Sequence, residues 1–275
     1  MSTVRIARHA AAIGLVLAAS MGLGPDVSTA LAAGPSARDI MDKVAATRRL
    51  DGSEALVKMT IENGKGQART REVTMATKLY DNGKTEKRIY RFLSPADVKG
   101  TGVLVFDYES KADDIWIFLP ALRKTRRIVS SERSKSFMGS EFTYGDLNIP
   151  PLDDYTYTLV REEPAGGEPC WVVDVLPKTG ATAKSEGYKK KSFWISKKTF
   201  TVRKGLYYDL EGHPFKELST KDVKLLDKKK NRYRALRMEM VNKKTGRRSV
   251  FETKKVSFAP DTKDEFFTPR YLERP

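Results

Sequence analysis

Residues 113–150 read DDIWIFLPALRKTRRIVSSERSKSFMGSEFTYGDLNIP, and the organisation of the whole chain is best approached from this stretch. Ile115 to Leu119 form an unbroken apolar run, as in a buried strand. A cluster of basic residues follows at Arg123, Lys124, Arg126 and Arg127. A Ser-rich segment then leads to large apolar groups mixed with glycine. The stretch therefore predicts a buried strand, a basic strand, and a loop whose apolar groups plug or line a cavity.

Most of the chain outside this stretch alternates between apolar and polar residues. Ala55, Val57, Met59 and Ile61 alternate with polar neighbours, as in a strand that is buried on one face. Asp81-Asn82-Gly83 is a hairpin signal between two such runs. Further runs and turn signals continue to Phe258 and give about eleven strands. Since a large antiparallel sheet that curls can enclose a ligand cavity, we expect a mainly β domain of the sandwich or barrel kind.

Helical periodicity is clear in one segment only. Ser36 is the predicted N-cap of this helix, with Asp39 three positions later, and Ile40 and Val44 recur at helical spacing. We expect the helix to fill or cover the cavity. At the other end of the chain, residues 261–275 carry three aromatic residues and a leucine, which we expect to tuck a short turn against the body.

Residues 1–32 are predicted to be a cleaved signal peptide. Arg5 and Arg8 precede an uncharged run from Ala10 to Gly24, and Ala30-Leu31-Ala32 places small residues at the cleavage site. The apolar run is shorter than the roughly 20 residues of a membrane-spanning helix. No cysteine stands at the cleavage site to carry a lipid anchor. We therefore expect residues 33–275 to form one exported domain that resides in the periplasm.

The chain is strongly basic, with 51 Lys and Arg against 35 Asp and Glu and a formal net charge of +16. In an exported protein this balance favours anionic membrane surfaces or acidic protein partners over nucleic acid. A basic surface that is merely solvated is an equally good interpretation. We expect transient contact with a membrane surface, no nucleic-acid partner, and a monomer.

Residues for catalysis and metal binding are scarce. Cys170 is the only cysteine and lies in a run typical of strand core, while His213 is the only histidine after the predicted signal peptide and lies in a predicted turn. His-clustered metal sites are therefore excluded, and serine or cysteine triads are disfavoured. Adjacent acids such as Asp113-Asp114 point to opposite faces of a strand and do not converge. We expect no enzyme activity, no cofactor and no metal.

Two motifs resemble a known family. Residues 116–128 read WIFLPALRKTRRI, and residues 136–146 read SFMGSEFTYGD. The patterns W-x-x-L-P-A-L-(R/K)-(R/K) and S-F-x-G-S-(D/E)-F-(T/S)-Y are similar to those of the LolA-like family of outer-membrane lipoprotein-sorting proteins, and the likeness extends over the chain after residue 32. It implies a single strongly curved antiparallel sheet, an incomplete β-barrel, with a helix and loop lid over an apolar cavity that accepts acyl chains.

The resemblance implies a periplasmic carrier or chaperone that binds acyl chains of lipids or lipoproteins and helps sort them to the outer membrane. Burial stabilises an acyl chain by about 0.8 kcal/mol per CH₂, so the chain does not cross water unescorted at a useful rate. A lipid-exporting transporter of the inner membrane is the implied partner. One alternative is an envelope-stress sensor or accessory subunit that binds an inner-membrane regulator or transporter. Another is an interaction module with a filled barrel and no ligand.

Two sets of candidate site residues follow. The acyl cavity and its gate are expected to comprise Trp116, Phe118, Phe137, Met138, Phe142 and Leu147. The surface for lipid headgroups or an acidic partner is expected to comprise Arg123, Lys124, Arg126 and Arg127. A place in the simple core is the competing interpretation for every apolar member, and it has most weight for Trp116 and Phe118, which lie mid-strand.

Overall fold

The computed structural model describes residues 34–258 and 261–274, and one antiparallel sheet of 13 strands forms its body. In chain order the strands are β1 (Ser53–Glu62), β2 (Ala68–Tyr80), β3 (Thr85–Ser94), β4 (Gly102–Tyr108), β5 (Asp114–Leu119), β6 (Lys124–Ile128), β7 (Tyr155–Glu162), β8 (Cys170–Pro177), β9 (Lys190–Ser196), β10 (Val202–Tyr208), β11 (Pro214–Asp227), β12 (Arg232–Asn242) and β13 (Arg248–Phe258). The mainly β prediction is confirmed, although the described strands outnumber the expected eleven or so. The predicted basic strand is β6, with 5 residues.

The sheet consists of two meanders that meet at its centre. Its spatial order is β6-β5-β4-β3-β2-β1-β13-β12-β11-β10-β9-β8-β7. The two halves join where β1 pairs with β13, with Ser53 opposite Phe258 and Glu62 opposite Arg248. Strands β6 and β7 form the two edges and do not pair with each other. The sheet is therefore open, as the resemblance to an incompletely closed barrel predicts.

Three short helices accompany the sheet in the described part of the chain: α1 (Ala37–Arg48), α2 (Gly180–Glu186) and α3 (Pro269–Leu272). The predicted N-cap of α1 is confirmed, since the Asp39 backbone N–H donates to Ser36 Oγ and the Ser36 N–H donates to the Asp39 carboxylate. Ile40 is fully buried and packs in one cluster with Val173 and Ile195 of β8 and β9. Within the described residues, no helix has the length and apolarity to cross a bilayer. The predicted signal peptide, residues 1–32, lies outside the described residues.

The inner face of the sheet holds the main apolar cluster. This cluster takes side chains from the edge strand β6 through β1 and β13 to β10, including Ile128, Val103, Phe251 and Tyr207. A flat sheet cannot bring side chains from so many strands around one centre. The sheet therefore curves around this cluster, and we call its concave side the inner face.

The outer face of strands β2 to β5 is covered by the end of the chain. Phe267 and Leu272 are buried there in one cluster with Ile89 and Leu104. A Cβ atom at Gly102 would lie 2.5 Å from Leu272 Cδ1, so the absence of a side chain at this position admits the leucine. The predicted docking of residues 261–275 against the body is confirmed for the described residues 261–274. Strand β4 is consequently buried on both faces.

Truncating Leu272 tests how much the chain end contributes to the fold. Leu272 has 0% of its surface exposed. Leu272→Ala should lower the free energy of unfolding by about 2–5 kcal/mol, because it removes apolar contacts and leaves a cavity. Chemical denaturation measures the change. Leu122→Ala is the matched control, since Leu122 is 67% exposed and its truncation should change stability by less than about 0.5 kcal/mol. Equal losses in the two variants would contradict the docking of the chain end.

Candidate functional site

The connection between the two sheet edges lies across the inner face. We call residues 129–154 the strap, because they leave β6 at one edge and enter β7 at the other. The strap contains short 3-10 turns at Phe137–Gly139, Gly145–Leu147 and Leu152–Asp154. Its motif residues are those of the Ser-rich and Gly-rich half of the stretch at 113–150. The loop that the sequence predicts as a plug or lining thus spans the open side of the sheet.

Phe137 is the apolar centre of the strap. It is 2% exposed, and its ring lies 5.7–6.2 Å, centroid to centroid, from the rings of Tyr90, Phe92, Tyr144 and Phe251. Aromatic pairs at such separations contribute beyond the area that they bury. Tyr90 and Phe92 belong to β3 and Phe251 belongs to β13, so a single side chain of the strap joins both halves of the sheet.

The turn after Phe137 requires special backbone geometry. Met138 has a φ of 51° and Gly139 a φ of 79°, and a side chain at the second position would be strained. Two arginines, one from β2 and one from the turn between β12 and β13, hold this turn by its carbonyl groups. Arg71 donates to the Met138 oxygen, and Arg247 donates to the Gly139 oxygen at 2.9 Å. The positive φ of this turn explains why the motif has a glycine at position 139. Met138, at the tip of the turn, is half-buried.

Glu141 anchors the strap to the second half of the sheet. Its carboxylate accepts from Asn242 Nδ2 at 2.9 Å and lies 2.9 Å from Arg247 Nε. The Glu141 backbone is held as well, because its N–H donates to Ser249 Oγ and its carbonyl accepts from Lys216 Nζ at 2.7 Å. Strands β11, β12 and β13 and the hairpin turn between the last two all contribute. The acidic position of the second motif is therefore an anchor.

Asp113 anchors the strap to the first half of the sheet. Its carboxylate accepts from Asn148 Nδ2 at 2.7 Å and from Arg133 Nη2 at 3.1 Å. The nearby Asp107 carboxylate accepts from the Ile149 N–H at 3.0 Å. Burial raises the pKa of Asp113 to about 7, and the negative charge of Asp107 acts in the same direction. Two buried acids, Asp107 of β4 and Asp113 just before β5, thus hold the end of the strap that leads to β7, and Asp113 also holds Arg133 near the start of the strap.

Asp146 fixes the middle of the strap. Its side chain accepts from the Thr143 N–H at 2.9 Å and from Tyr188 Oη at 2.9 Å. Burial raises the pKa of Tyr188 well above its ordinary value, so Tyr188 remains a hydrogen-bond donor at neutral pH. Lys191 Nζ lies 3.8 Å from the Asp146 carboxylate. The strap is consequently held by polar contacts along its length as well as by its aromatic centre.

The structure brings four of the six apolar candidates together and separates two. Phe137, Phe142 and Leu147 are buried in the inner cluster, and Met138 packs against it. Trp116 and Phe118 instead belong to the outer cluster under the chain end. Contrary to the prediction, these two side chains do not share a cavity with Phe137. Successive residues of a strand point to opposite faces, so Trp116 and Phe118 lie on the face opposite to that of Ile115 and Ile117. In β5 the inner positions are Ile115 and Ile117.

The four basic candidates lie in and beside the edge strand β6. Arg126 is 2.8 Å from Glu132, and Arg127 is paired with Asp114. Arg123 and Lys124 are exposed, and neither has an ion-pair partner among the described residues. Leu122, beside them, is 67% exposed. The structure thus divides the basic set into a paired half and a free half that adjoins an exposed leucine.

A groove of about 530 Å³ lies on the outer face, between strands β1 to β3, strand β13 and the chain end. Ala76, Ile89 and Phe266 line it together with Arg91 and Lys255. Arg91 donates to the Tyr271 carbonyl at 2.8 Å. The inner face near Phe137, where the sequence places an acyl cavity, is filled by the strap's own side chains.

Sequence reasoning missed the polar anchors of the strap. Asp113 appeared only as one of a pair of neighbouring acids, and the prediction that such neighbours diverge is confirmed, since Asp114 pairs with Arg127 instead. Glu141 stood in the motif without an assigned role. The signal that the sequence offered for Asp113 was an acid beside the apolar run from Ile115 to Leu119. Among the described residues, no cluster of His, Cys, Asp and Glu is arranged to hold a metal ion, and Cys170 is buried, as predicted.

Comparison with solved structures identifies the family. A domain described as that of an outer-membrane lipoprotein-sorting protein, from Vibrio parahaemolyticus, shares 30% identity with a TM-score of 0.78, over 86% of this chain and 98% of the other. The chain belongs to the LolA-like family. A DUF1329 family protein from Desulfovibrio piger shares 27% identity with a TM-score of 0.78, over 86% and 97% of the two chains. The DUF1329 family model, described as that of an uncharacterized protein, matches residues 84–274.

A third LolA-like structure supports the fold alone. The LolA superfamily protein NE2245 from Nitrosomonas europaea shares 20% identity with a TM-score of 0.65, over 86% of this chain and 99% of the other. No curated protein sequence matches the chain significantly. None of the three structures is named as an enzyme. In this LolA-like chain, the second motif, residues 136–146, lies in the strap. The first motif, residues 116–128, forms most of β5 and the edge strand β6, and we call its four basic candidates the basic edge.

The raised pKa of Asp113 predicts how stability varies with pH. The ordinary value is 3.8 and the folded value is about 7, so between them the folded state binds a proton that the unfolded state has released. Stability should therefore fall as pH rises through this window, by up to a few kcal/mol. Thermal unfolding of the wild type and Asp113→Asn at a series of pH values measures the effect. The wild type should lose stability relative to the variant as pH rises from about 4 to about 7.

Asp114→Asn provides the control for this comparison, because Asp114 is the neighbouring acid on the other face of the strand. Its difference from the wild type should not follow the same pH window. A wild-type difference from Asp113→Asn that stays constant across the window would contradict the assignment of the raised pKa to Asp113.

Proposed function

We propose that this LolA-like protein binds acyl chains of a lipid or lipoprotein on the inner face of its sheet and carries them through the periplasm towards the outer membrane. The proposal rests mainly on one observation: side chains of the strap fill the inner face of an open sheet. Phe137, Phe142 and Leu147 occupy the concave side between the two halves of the sheet. A related domain is described as that of an outer-membrane lipoprotein-sorting protein, which supports this class of cargo.

The strap and an acyl chain compete for the same apolar surface in this proposal. Complete burial of one Phe or Leu side chain stabilises by about 1.5–3 kcal/mol, so three such groups contribute roughly 5–9 kcal/mol. At about 0.8 kcal/mol per CH₂, an acyl chain of about ten carbons gains a similar amount. The exchange of strap for cargo is then close to balanced. A carrier needs such a balance, because it must both accept its cargo and release it.

The anchors determine how the strap is released. The turn at Met138 and Gly139 is held by arginine side chains and by one buried acid, Glu141, whereas the end near Asn148 is held by two buried acids of the sheet. Arg247 is 44% exposed at its side chain and contacts both Gly139 and Glu141. Because Arg247 is the anchor most accessible to solvent, the turn end is where the strap would open, and the strap would swing away from it while the Asn148 end stays attached.

Two residues of the basic edge, Arg123 and Lys124, support contact with a membrane surface. Neither forms an ion pair with any described residue, and the exposed Leu122 lies beside them. Basic residues near an anionic surface contribute about 1 kcal/mol each, and an exposed leucine adds apolar contact with the interface. An inner-membrane transporter that exports lipid remains the proposed donor. The signal peptide at residues 1–32 is the proposed route to the periplasm.

Loosening the turn end should speed cargo uptake. Arg247→Gln removes the ion pair with Glu141 and the charged donor to the Gly139 carbonyl, so the strap should open more often. We expect a rate of fluorescent fatty-acid uptake several times that of the wild type, because the Arg247 side chain is 44% exposed and such a solvent-screened ion pair contributes about 0.2–1 kcal/mol. Stopped-flow fluorescence measures the rate, and native mass spectrometry of the purified protein identifies the lipid that co-purifies.

Lys243→Gln is the matched control for uptake, since Lys243 lies in the same hairpin and pairs with Glu217, away from the strap. Its uptake rate should equal that of the wild type. Absence of uptake by every variant, together with a lipid-free mass spectrum, would reject the carrier function. Equal uptake by the wild type and Arg247→Gln would reject the strap as the barrier.

The divided basic edge predicts unequal effects of charge removal. Arg123→Gln combined with Lys124→Gln should weaken binding to anionic phospholipid vesicles by about tenfold or more, from about 1 kcal/mol per residue. Arg126→Gln combined with Arg127→Gln removes the same net charge but breaks internal ion pairs, and should weaken binding less. Vesicle co-sedimentation at fixed salt measures both variants. Identical losses would show that overall charge, not the free half of the edge, attracts the membrane.

A further inference from the structure

Four arginine side chains converge on the inner face near the end of α1. Arg48 and Arg49 come from the end of the helix, Arg88 from β3 and Arg234 from β12. Arg48 and Arg88 both donate to the carbonyl of Leu147 in the strap. Arg234 lies 3.8 Å from Glu86, which lies 3.3 Å from Arg88. We call these four residues the arginine cluster.

Buried acids compensate only part of this positive charge. Glu86 and Asp107 are the carboxylates inside the cluster, and both have 0% of their side-chain surface exposed. Arg88 lies 3.6 Å from Asp107, and Arg49 lies 4.0 Å from it. A further acid, Glu109, pairs with Arg49 at 3.2 Å but is 56% exposed. Among the described residues, four guanidinium groups therefore face two enclosed carboxylates.

The properties of individual arginines show where the charge is least compensated. Burial lowers the pKa of Arg234 to about 10, and the positive charges of Arg88 and Arg48 add to this effect despite Glu86. Burial likewise lowers the pKa of Arg48, again with Arg88 contributing. Arg49 is 8% exposed, and its Nε has no hydrogen-bond partner. A buried guanidinium normally has partners for its donors.

We infer that the arginine cluster binds an oxyanion of the phosphate class. A guanidinium group presents a planar fork of N–H donors that matches the oxygens of phosphate. The negative charge of a bound anion would also offset the repulsion between the guanidinium groups. Arg234 keeps 25% of its side-chain surface exposed, so an anion can reach the cluster from solvent. The shared contact of Arg48 and Arg88 with Leu147 places the cluster at the end of the apolar strap region.

The position of the cluster beside the strap relates the anion site to the proposed carrier function. An amphipathic lipid with its chain under the strap would place a phosphate headgroup at the arginine cluster. The assignment of the anion to a lipid rests on the proposed carrier function, whereas the anion site itself does not. Free phosphate is the other source of the same chemistry, and the ligands used in the test distinguish the two.

Three ligands separate the contributions of anion and chain. They are inorganic phosphate, dodecanoyl lysophosphatidic acid, and monododecanoylglycerol, which has the same chain without the phosphate. Isothermal titration calorimetry with the wild-type protein measures their affinities. We expect the lysophosphatidic acid to bind at least about tenfold more tightly than the neutral lipid, as one or more charge-assisted contacts predict.

Arg234→Gln tests the cluster directly. Arg234 makes no side-chain hydrogen bond within the described residues and only a 3.8 Å ion pair with Glu86, so its replacement perturbs the fold least of the four arginines. The variant should lose about tenfold in affinity for the lysophosphatidic acid and keep its affinity for the neutral lipid. Arg237→Gln is the matched control, because Arg237 lies on the same strand and pairs with Glu252 on the opposite face. Its affinities should equal those of the wild type.

The outcomes separate failure of the inference from failure of the proposed function. Equal binding of both lipids by wild type and Arg234→Gln would overturn the anion site and leave the carrier function standing. Phosphate binding without binding of either lipid would support the anion site and reject the carrier function. Should Arg234→Gln not fold, the wild-type thermal shift decides: phosphate must stabilise the protein more than chloride at equal ionic strength, and equal shifts overturn the inference.

Discussion

The placement of β6 and β7 at opposite edges of one sheet is the constraint from which the candidate site follows. The chain must pass from one edge to the other, and residues 129–154 do so across the concave side. A connection over that distance would leave many backbone groups without partners unless the sheet supplied them. Residues of the sheet and its turns meet this requirement, among them Arg71, Lys216, Arg247 and Asp107. The buried polar residues of the sheet and the apolar side chains of the strap are therefore both consequences of this crossing.

This arrangement gives the charged residues of the inner face a different role from ordinary surface ion pairs. A buried ion pair contributes little net stability compared with a well-packed apolar pair, but removing one partner is strongly destabilising. Asp113 and Glu141 fix where the strap lies, while Phe137 supplies the apolar burial. A segment held in this way has one defined resting position. The hydrogen bonds that pair the strands of the sheet do not involve this segment.

Local features of the fold could be predicted from the sequence because their signals are local. The Ser36 cap and the Asp81-Asn82-Gly83 hairpin depend on residues within a few positions of each other. The position of Trp116 could not be predicted in this way, since β5 is apolar on both faces and alternation then has no distinguishable phase. Arg88 was missed for a similar reason, because buried charges and buried apolar groups share the inner face of β3. The motif located the strap in the sequence, but only the sheet order showed what it crosses.

The pairing of β1 with β13 has a consequence for how the protein is made. These strands begin and end the sheet in sequence yet form its central seam, with Ser53 opposite Phe258. Ribosomes add residues from the N-terminus, so the first meander must wait for nearly the whole chain before its central edge is covered. Pairing between such distant segments is intrinsically slow, and an unpaired strand edge invites association with other chains. The seam therefore joins the two strands of the sheet that become available furthest apart in time as the chain is made.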